Sequence, residues 1–333
     1  MTVQPDNKKL LTVSPSPHLR GKDTTASIMM DVLIALTPAA VWGVYVFGTR
    51  ALILLAVCIL TSIVSEGMTQ RVLHRPVTVE DLSAAVTGML LAFNLPVTLP
   101  IWMAMIGSVF AIVVVKQLFG GIGKNFMNPA LAGRVFLTLS FAGSMTNFTA
   151  AYDRVWLSAA DVVASATPLA SLKAGVLPEA SLFDVFFGRT GGCIGEVSTF
   201  LLLAGGIYLL CRKVISWRIP VTYLATVALL SFVFARAEGA RWLVMLYELC
   251  TGGLMLGAFF MATDYVTCPV TKWGKVVFGI GCGALTVFIR TFGGYPEGVS
   301  FSILIMNALV WYLDVAFRPR VFGKQKGKVA RRG

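Results

Sequence analysis

Apolar residues in this chain fall in long runs. Ten predominantly apolar segments follow one another at 25–47, 51–73, 82–95, 100–118, 127–145, 194–211, 215–235, 242–263, 275–291 and 299–317. Most approach the ~20 residues a helix needs to cross the hydrocarbon core of a bilayer. Lipid offers no partner to backbone N–H and C=O groups, so such runs predict helices. The pattern predicts an all-α polytopic membrane protein of about ten transmembrane helices. It divides the chain into an N-terminal segment 1–24, five spans over 25–145, a connection 146–193, five spans over 194–317 and a basic tail 318–333.

Composition supports the reading. Hydrophobic residues make up 56% and charged residues 13%, with a mean hydropathy of +0.78, whereas soluble domains carry about 25% charged residues. The net charge of +12 would suggest nucleic acid in a soluble protein. Here the cations sort by side instead. Alternate loops and the tail hold twenty Lys and Arg residues, among them Lys8, Lys9, Arg71, Arg75, Lys116, Lys124, Lys272, Lys275 and Arg318. The intervening loops hold seven: Arg50, Arg154, Lys173, Arg189, Arg236, Arg241 and Arg290. The positive-inside rule puts both termini in the cytoplasm and the 146–193 connection outside it. The charge is then a topology signal with some attraction to anionic lipid, and nucleic acid is not expected. The polar start "MTVQPDNKKLL" has no signal-peptide pattern. The six cysteines form no CxxC pair, so neither a metal framework nor a disulfide scaffold is expected.

Two phrases recur. "FGG" at 119–121 precedes the fifth span, and "FGG" at 292–294 precedes the tenth. "TGMLLAFNLPVTLP" at 87–100 echoes "TGGLMLGAFFMATDYVTCP" at 251–269. The echoes fall at matching places in two sets of five spans. An odd number of spans inverts the second copy, as in many transporters, where short or Gly-interrupted segments mark a midplane site. The sequence therefore predicts two inverted five-helix repeats, with discontinuous helices at spans three and eight.

Ionisable residues fall within or at the rims of spans: Asp31, Glu66, Arg134, Glu248, Asp264 and Asp314. A charge at the bilayer centre costs about 2.5–3.5 kcal/mol on insertion scales, so such groups face a cavity or a partner. Glu66, Asp264 and Asp314 lie toward cytoplasmic ends, where they can attract a cation or pair with Lys and Arg. Phe259 and Phe260 precede Asp264 by a turn and can form a hydrophobic constriction or simply pack. Asn128 before Pro129 reads as a helix N-cap, and with Asn125 it can also hydrogen-bond a planar heterocycle. The glycines of "GRTGGCIGE" at 188–196 follow no predicted strand, so no dinucleotide fingerprint is present.

Several longer motifs carry a family resemblance: "SPSPHLR" at 14–20, "MMDVLIALTPAAVWGVYVFG" at 29–48, "GKNFMNPALAGR" at 123–134, "SATPLA" at 165–170, "MATDYVTCPVTKWGK" at 261–275 and "FGGYPEGVSFSILIMN" at 292–307. From about Ser14 to Phe317 the chain resembles the D subunits of Rnf complexes. It resembles the B subunit of the Na+-pumping NADH:quinone reductase more distantly, and the longer N-terminal extension usual there has no counterpart here.

The resemblance implies a membrane flavoprotein that is an enzyme as a subunit of an ion-translocating oxidoreductase complex and does not run the overall reaction alone. The complex passes electrons between ferredoxin and NAD+, coupled to Na+ or H+ movement, in a bacterial or archaeal cytoplasmic (inner) membrane. It implies FMN bound through its phosphate to Thr167, in the pattern that reads here Asp161-Val-Val-Ala-Ser165-Ala166-Thr167. It further implies non-covalent riboflavin near Asn125 and Asn128, and a cation path through Glu66, Asp264 and Asp314, with Phe260 beside it. Arg290 and the "YPEG" turn lie on the predicted external face, where the guanidinium suits the FMN phosphate or supports the "FGG" turn. The implied partners are flavin and iron–sulfur subunits, membrane lipid and a flavin transferase. The competing reading from the repeat alone is a secondary transporter or channel for a small solute; a third is a structural anchor for other subunits.

Overall fold

A computed structural model describes residues 24–152, 167–196, 198–235 and 240–319. Asp161 and Ser165 lie outside the described residues, as do nearly all of the N-terminal segment and the basic tail. The described chain is helical and contains no β-strand.

Every predicted span corresponds to a helix or a helix pair. They are α1 (Thr25–Phe47), α2 (Thr49–Val72), α3 (Ser83–Phe93), α4 (Ile101–Gln117), α5 (Pro129–Ser140) with the single turn α6 (Ala142–Met145), and, after two short helices α7 (Pro168–Lys173) and α8 (Leu182–Phe187), α9 (Thr199–Cys211), α10 (Arg218–Val233), α11 (Arg241–Cys250), α12 (Leu254–Met261), α13 (Lys272–Phe292) and α14 (Val299–Ala316). Among the described residues, α1, α2, α13 and α14 are each long and apolar enough to cross a bilayer. α11 and α12 meet that test together, bent by 62°, and α3, α4, α9 and α10 are shorter apolar helices. The outward faces stay apolar, with Val41, Leu60, Leu229, Phe288 and Trp311 all exposed. A water-facing surface would not carry such a belt. The protein is a polytopic, all-helical membrane protein.

Local sequence sets the joints. Thr24 and Ser27 form a capping box that starts α1. Gly48 alone separates α1 from α2 at φ 85, a left-handed conformation open to glycine. Packing then follows the repeat. α2 lies against α3 and α4, as α10 lies against α11 and α13; α1 meets α9 and α5 meets α14 across the two halves.

Spans three and eight are broken, as the sequence predicts. α3 is buried along all eleven of its residues and then stops at Asn94. The chain from Asn94 to Pro100 is non-helical inside an apolar core, so its carbonyls need partners. The N–H of Gly195 donates to Phe93 O (3.0 Å) and that of Ile194 to Leu95 O (3.2 Å). Arg50 Nε donates to Val97 O (2.9 Å) and its Nη2 to Leu99 O (3.1 Å). The second break, Thr251–Gly253, turns on Gly252 at φ 68. Thr199 Oγ1 donates to Cys250 O (2.8 Å), and Arg290 donates to Glu248 O (2.7 Å) and Thr251 O (3.1 Å).

Two helices widen where chemistry gathers. Phe110–Gln117 in α4 and Gly257–Met261 in α12 are π-helical, with bonds spanning five residues, Leu118 N to Val113 O and Ala262 N to Gly257 O. Such turns are rare and cluster at functional sites.

Candidate functional site

α12 separates two cavities. Its eight residues rise about 12 Å, with Phe259 and Phe260 at one end and the break at the other. The larger cavity, about 410 Å3, is lined by Asn125, Asn128, Lys116, Phe260 and Asp264, with apolar walls from Met29, Val86, Leu90 and Phe259. The predicted amide pair and Asp264 thus face one space. Asn128 Oδ1 accepts from Ala130 N (3.0 Å) and Leu131 N (3.3 Å) as the N-cap of α5, while its Nδ2 donates to Met261 O (3.3 Å). Asn125 Nδ2 donates to Met127 O (3.1 Å). Asp264 accepts from Thr267 Oγ1 at 3.1 Å. Phe259 and Phe260 face Gly206 and Gly205 of α9, where an added Cβ would meet their rings. These rings pack two helices together as well as walling the cavity.

Glu66 lies behind this cavity, fully buried. Lys116 Nζ donates to Glu66 Oε2 (2.8 Å) and to Ser83 Oγ (2.6 Å), and Gln117 Nε2 donates to Glu66 Oε1 (2.8 Å). Consecutive residues of an α-helix project about 100° apart; the π-helical turn in α4 brings both Lys116 and Gln117 onto one carboxylate. Asp314 is elsewhere. Its Oδ1 accepts from Val270 N (3.0 Å) and Thr271 N (3.4 Å) and ties that loop to α14, so the structure does not join it to Glu66 and Asp264.

Beyond the break, a smaller cleft of about 50 Å3 is lined by Thr167, Thr190, Glu196, Thr251, Gly252 and Glu297. Thr167 is the N-cap of α7, its Oγ1 accepting from Ala170 N at 3.3 Å, with Pro168 at the first helical position. α7 and α8 hold to α11 through Leu172, Val185, Val244 and Tyr247. Lys173 Nζ donates to Gly293 O (2.7 Å), tying α7 to the second "FGG" turn, and burial lowers the pKa of its amine. The guanidinium of Arg290 pairs with Glu248 Oε2 at 2.6 Å and with the carbonyls of the break. The sequence offered it to a phosphate; the structure gives its charge to Glu248, because the broken helix leaves carbonyls that a guanidinium can satisfy.

At the smaller cleft lies a group that the sequence did not single out as a unit. Arg134 of α5 donates to Asn94 Oδ1 (2.6 Å), to Glu196 Oε1 (3.2 Å) and to Glu297. Glu297 Oε1 accepts from Gly253 N at 2.8 Å. The sequence flagged Arg134 as an intramembrane charge, but Glu196 sat in a glycine-rich loop and Glu297 in a turn, and nothing in their spacing joins them. Lys116 was missed too, counted only as a loop cation. Its one signal was its place at the end of an otherwise apolar helix.

A family model described as "NQR2, RnfD, RnfE family" matches residues 12–323. The chain belongs to the NQR2, RnfD, RnfE family. Within that family it is 50% identical over 325 residues to the D subunit of the Na(+)-translocating ferredoxin:NAD(+) oxidoreductase complex of Acetobacterium woodii, covering 97% of this chain and 98% of that one. It is 41% identical over 332 residues to the D subunit of the proton-translocating ferredoxin:NAD(+) oxidoreductase complex of Clostridium ljungdahlii, covering 96% and 98%. The D subunit of an ion-translocating oxidoreductase complex of Stutzerimonas stutzeri is 38% identical over 329 residues, covering 90% and 93%. The resemblance read from the motifs is thus to the right family.

Proposed function

We propose that this chain is the D subunit of an Rnf-type complex in a bacterial or archaeal cytoplasmic membrane, with both termini cytoplasmic. The complex would couple electron transfer between ferredoxin and NAD+ to translocation of Na+ or H+, with the flavin and iron–sulfur subunits as partners. The observation that carries this reading is 50% identity over nearly the full length to a named D subunit. The relatives' names differ in the ion, sodium in one and protons in another, so the family alone does not select it.

The residues present fit two flavins. Thr167 presents a half-buried hydroxyl at the start of a short helix, between small residues and Pro168, and is the proposed acceptor of FMN through a phosphoester made by a flavin transferase. The 410 Å3 cavity has the size of a small-molecule site, about 300–1,000 Å3. Its apolar walls, the Phe259 and Phe260 rings and the Asn125 and Asn128 amides suit riboflavin. Bound flavins supply reversible one- and two-electron chemistry that side chains lack. The chain's own residues would hold and orient them. Asn128 and Asn125 present amides at the cavity wall, Lys116 lines it with its charge turned to Glu66, and Asp264 faces the same space, where a carboxylate can take a cation. The ion path is proposed through Asp264 and Glu66, with Phe260 forming its wall.

In-gel fluorescence of the denatured chain, made in cells with a flavin transferase, tests the covalent site. A flavin signal lost in Thr167→Ala is expected; a colourless wild-type chain, or a signal that survives the substitution, overturns the assignment.

A further inference from the structure

We propose that Glu196 and Glu297 form a shared proton-binding site where the two broken helices meet. Three observations carry it. The first is charge balance. Two carboxyl groups and one guanidinium, that of Arg134, sit together with side chains only 9–14% exposed. Arg290 stands nearby, with its Nη2 3.1 Å from a Cβ built at Gly252, but its charge is taken by Glu248 at 2.6 Å. Cys193, whose backbone carbonyl accepts from Glu196 N at 3.2 Å, is buried and brings no positive charge. With both acids ionised, the group carries one uncompensated negative charge in a region that water cannot screen. Such a charge is expensive to hold, and the least costly remedy is one bound proton.

The second observation is contact. Both carboxyl groups contact the one guanidinium of Arg134. A Cβ built on Gly253 would stand 2.5 Å from Glu297 Oε1 and 2.8 Å from Glu196 Oε1, so both oxygens converge on one spot. Two carboxylates this close do not both ionise; one proton sits between them. A shared proton needs no further ligand, whereas a Na+ ion needs a shell of oxygens, and the Na+ titration below separates the two.

The third is access. Both acids line the cleft that also holds Thr167, Thr190 and Thr251. Its volume of about 50 Å3 admits a water, which takes about 30 Å3. The proton can therefore leave Glu196 for water in the cleft, breaking its O–H bond and leaving the triad at one net negative charge. Arg134 keeps Glu297 ionised by their direct contact, which leaves Glu196 as the residue that gains and loses the proton. Neighbouring groups are fixed by other bonds: Asn94 on Arg134 (2.6 Å) and Gly253 N on Glu297 (2.8 Å). The site stands whether or not Thr167 carries FMN. It would give a redox group in that cleft a proton partner built into the junction of the repeats.

Infrared difference spectroscopy of the purified full-length chain, titrated with pH in Na+-free buffer, tests this. A protonated-carboxyl carbonyl band present at neutral pH is expected, absent in Glu196→Gln and displaced, not lost, in Glu196→Asp. Adding Na+ to a large excess is expected to leave it unmoved. A neutral-pH spectrum with no carboxyl band sensitive to either Glu196 variant overturns the proposal, and so does a band abolished by Na+. Glu196→Gln replaces a protonated carboxyl by a neutral group of the same shape and keeps Arg134 balanced by Glu297, so its thermal midpoint is expected to stay near wild type. A collapse of that midpoint would equally overturn the charge balance argued above.

Discussion

Lys116 Nζ stands 2.8 Å from Glu66 Oε2, and both groups are sealed from solvent, their side chains 4% and 1% exposed. The pair joins α4 to α2, and its Lys116 lines the large cavity. Breaking a buried ion pair from one side costs about 3–5 kcal/mol, since the remaining charge has no partner. Lys116→Met is therefore expected to lower the thermal midpoint strongly. The double variant Glu66→Gln with Lys116→Met is expected to recover much of the loss. Thermal unfolding followed by a thiol-reactive dye checks both; a double variant no better than the single one would show that the pair is not the stabilising unit.

Thr167 has two separable roles. Its hydroxyl caps α7 at 3.3 Å, a contact worth about 1 kcal/mol when lost to alanine. Thr167→Ala is expected to abolish covalent flavin while leaving the thermal midpoint nearly unchanged, and Thr167→Ser is expected to keep the cap. Fluorescence and unfolding measured on the same preparations separate these effects.

Gly88 packs α3 directly against the backbone of α2. A Cβ there would stand 2.7 Å from Cys58 O and 2.8 Å from Ile59 Cα, both backbone atoms. Small residues allow such approaches between membrane helices. Gly88→Ala is expected to destabilise by about 1–3 kcal/mol, the usual cost of overpacking, read as a lower thermal midpoint in detergent.

The acidic residues divide by position. Asp264 faces the large cavity, whereas Asp314 bonds the backbone N–H groups of Val270 and Thr271. In vesicles carrying the whole complex, Asp264→Asn is expected to lower ion uptake at least tenfold with flavin content unchanged. Asp314→Asn is expected to leave uptake near wild type and cost about 1 kcal/mol of stability, as for a lost hydrogen bond. Normal uptake by Asp264→Asn would remove it from the ion path.

Arg50 satisfies two carbonyls of the first break, Val97 O and Leu99 O. Arg50→Ala strands both in an apolar core, at about 1–3 kcal/mol for each unsatisfied group. A lower thermal midpoint is the expected result, together with faster amide exchange confined to residues 94–100.

The order of apolar runs, the two breaks and the family were legible in the chain. "TGMLLAFNLPVTLP" and "TGGLMLGAFFMATDYVTCP" marked spans three and eight because proline and glycine interrupt a helix by local backbone rules. Asn128 before Pro129 announced its cap for the same reason. That Asn125, Asn128 and Asp264 line one cavity was not written in their motifs, and Asp314 lies apart from them on the 270–271 loop.

Which charge meets which depends on packing across the whole fold. Lys116 and Glu66 stand 50 positions apart, and Arg134 and Glu297 stand 163 apart. No periodicity links such positions, because hydrophobic pattern selects a face and a length but not a partner. Those pairings arise when two broken helices leave backbone groups in an apolar interior and each half supplies side chains for both. Arg50, Arg134, Arg290 and Glu297 are placed by that requirement. A ten-segment membrane chain of known family follows from the pattern of the chain; the folded interior sets where its charges are neutralised, and there Glu196 shares the Arg134 guanidinium with Glu297.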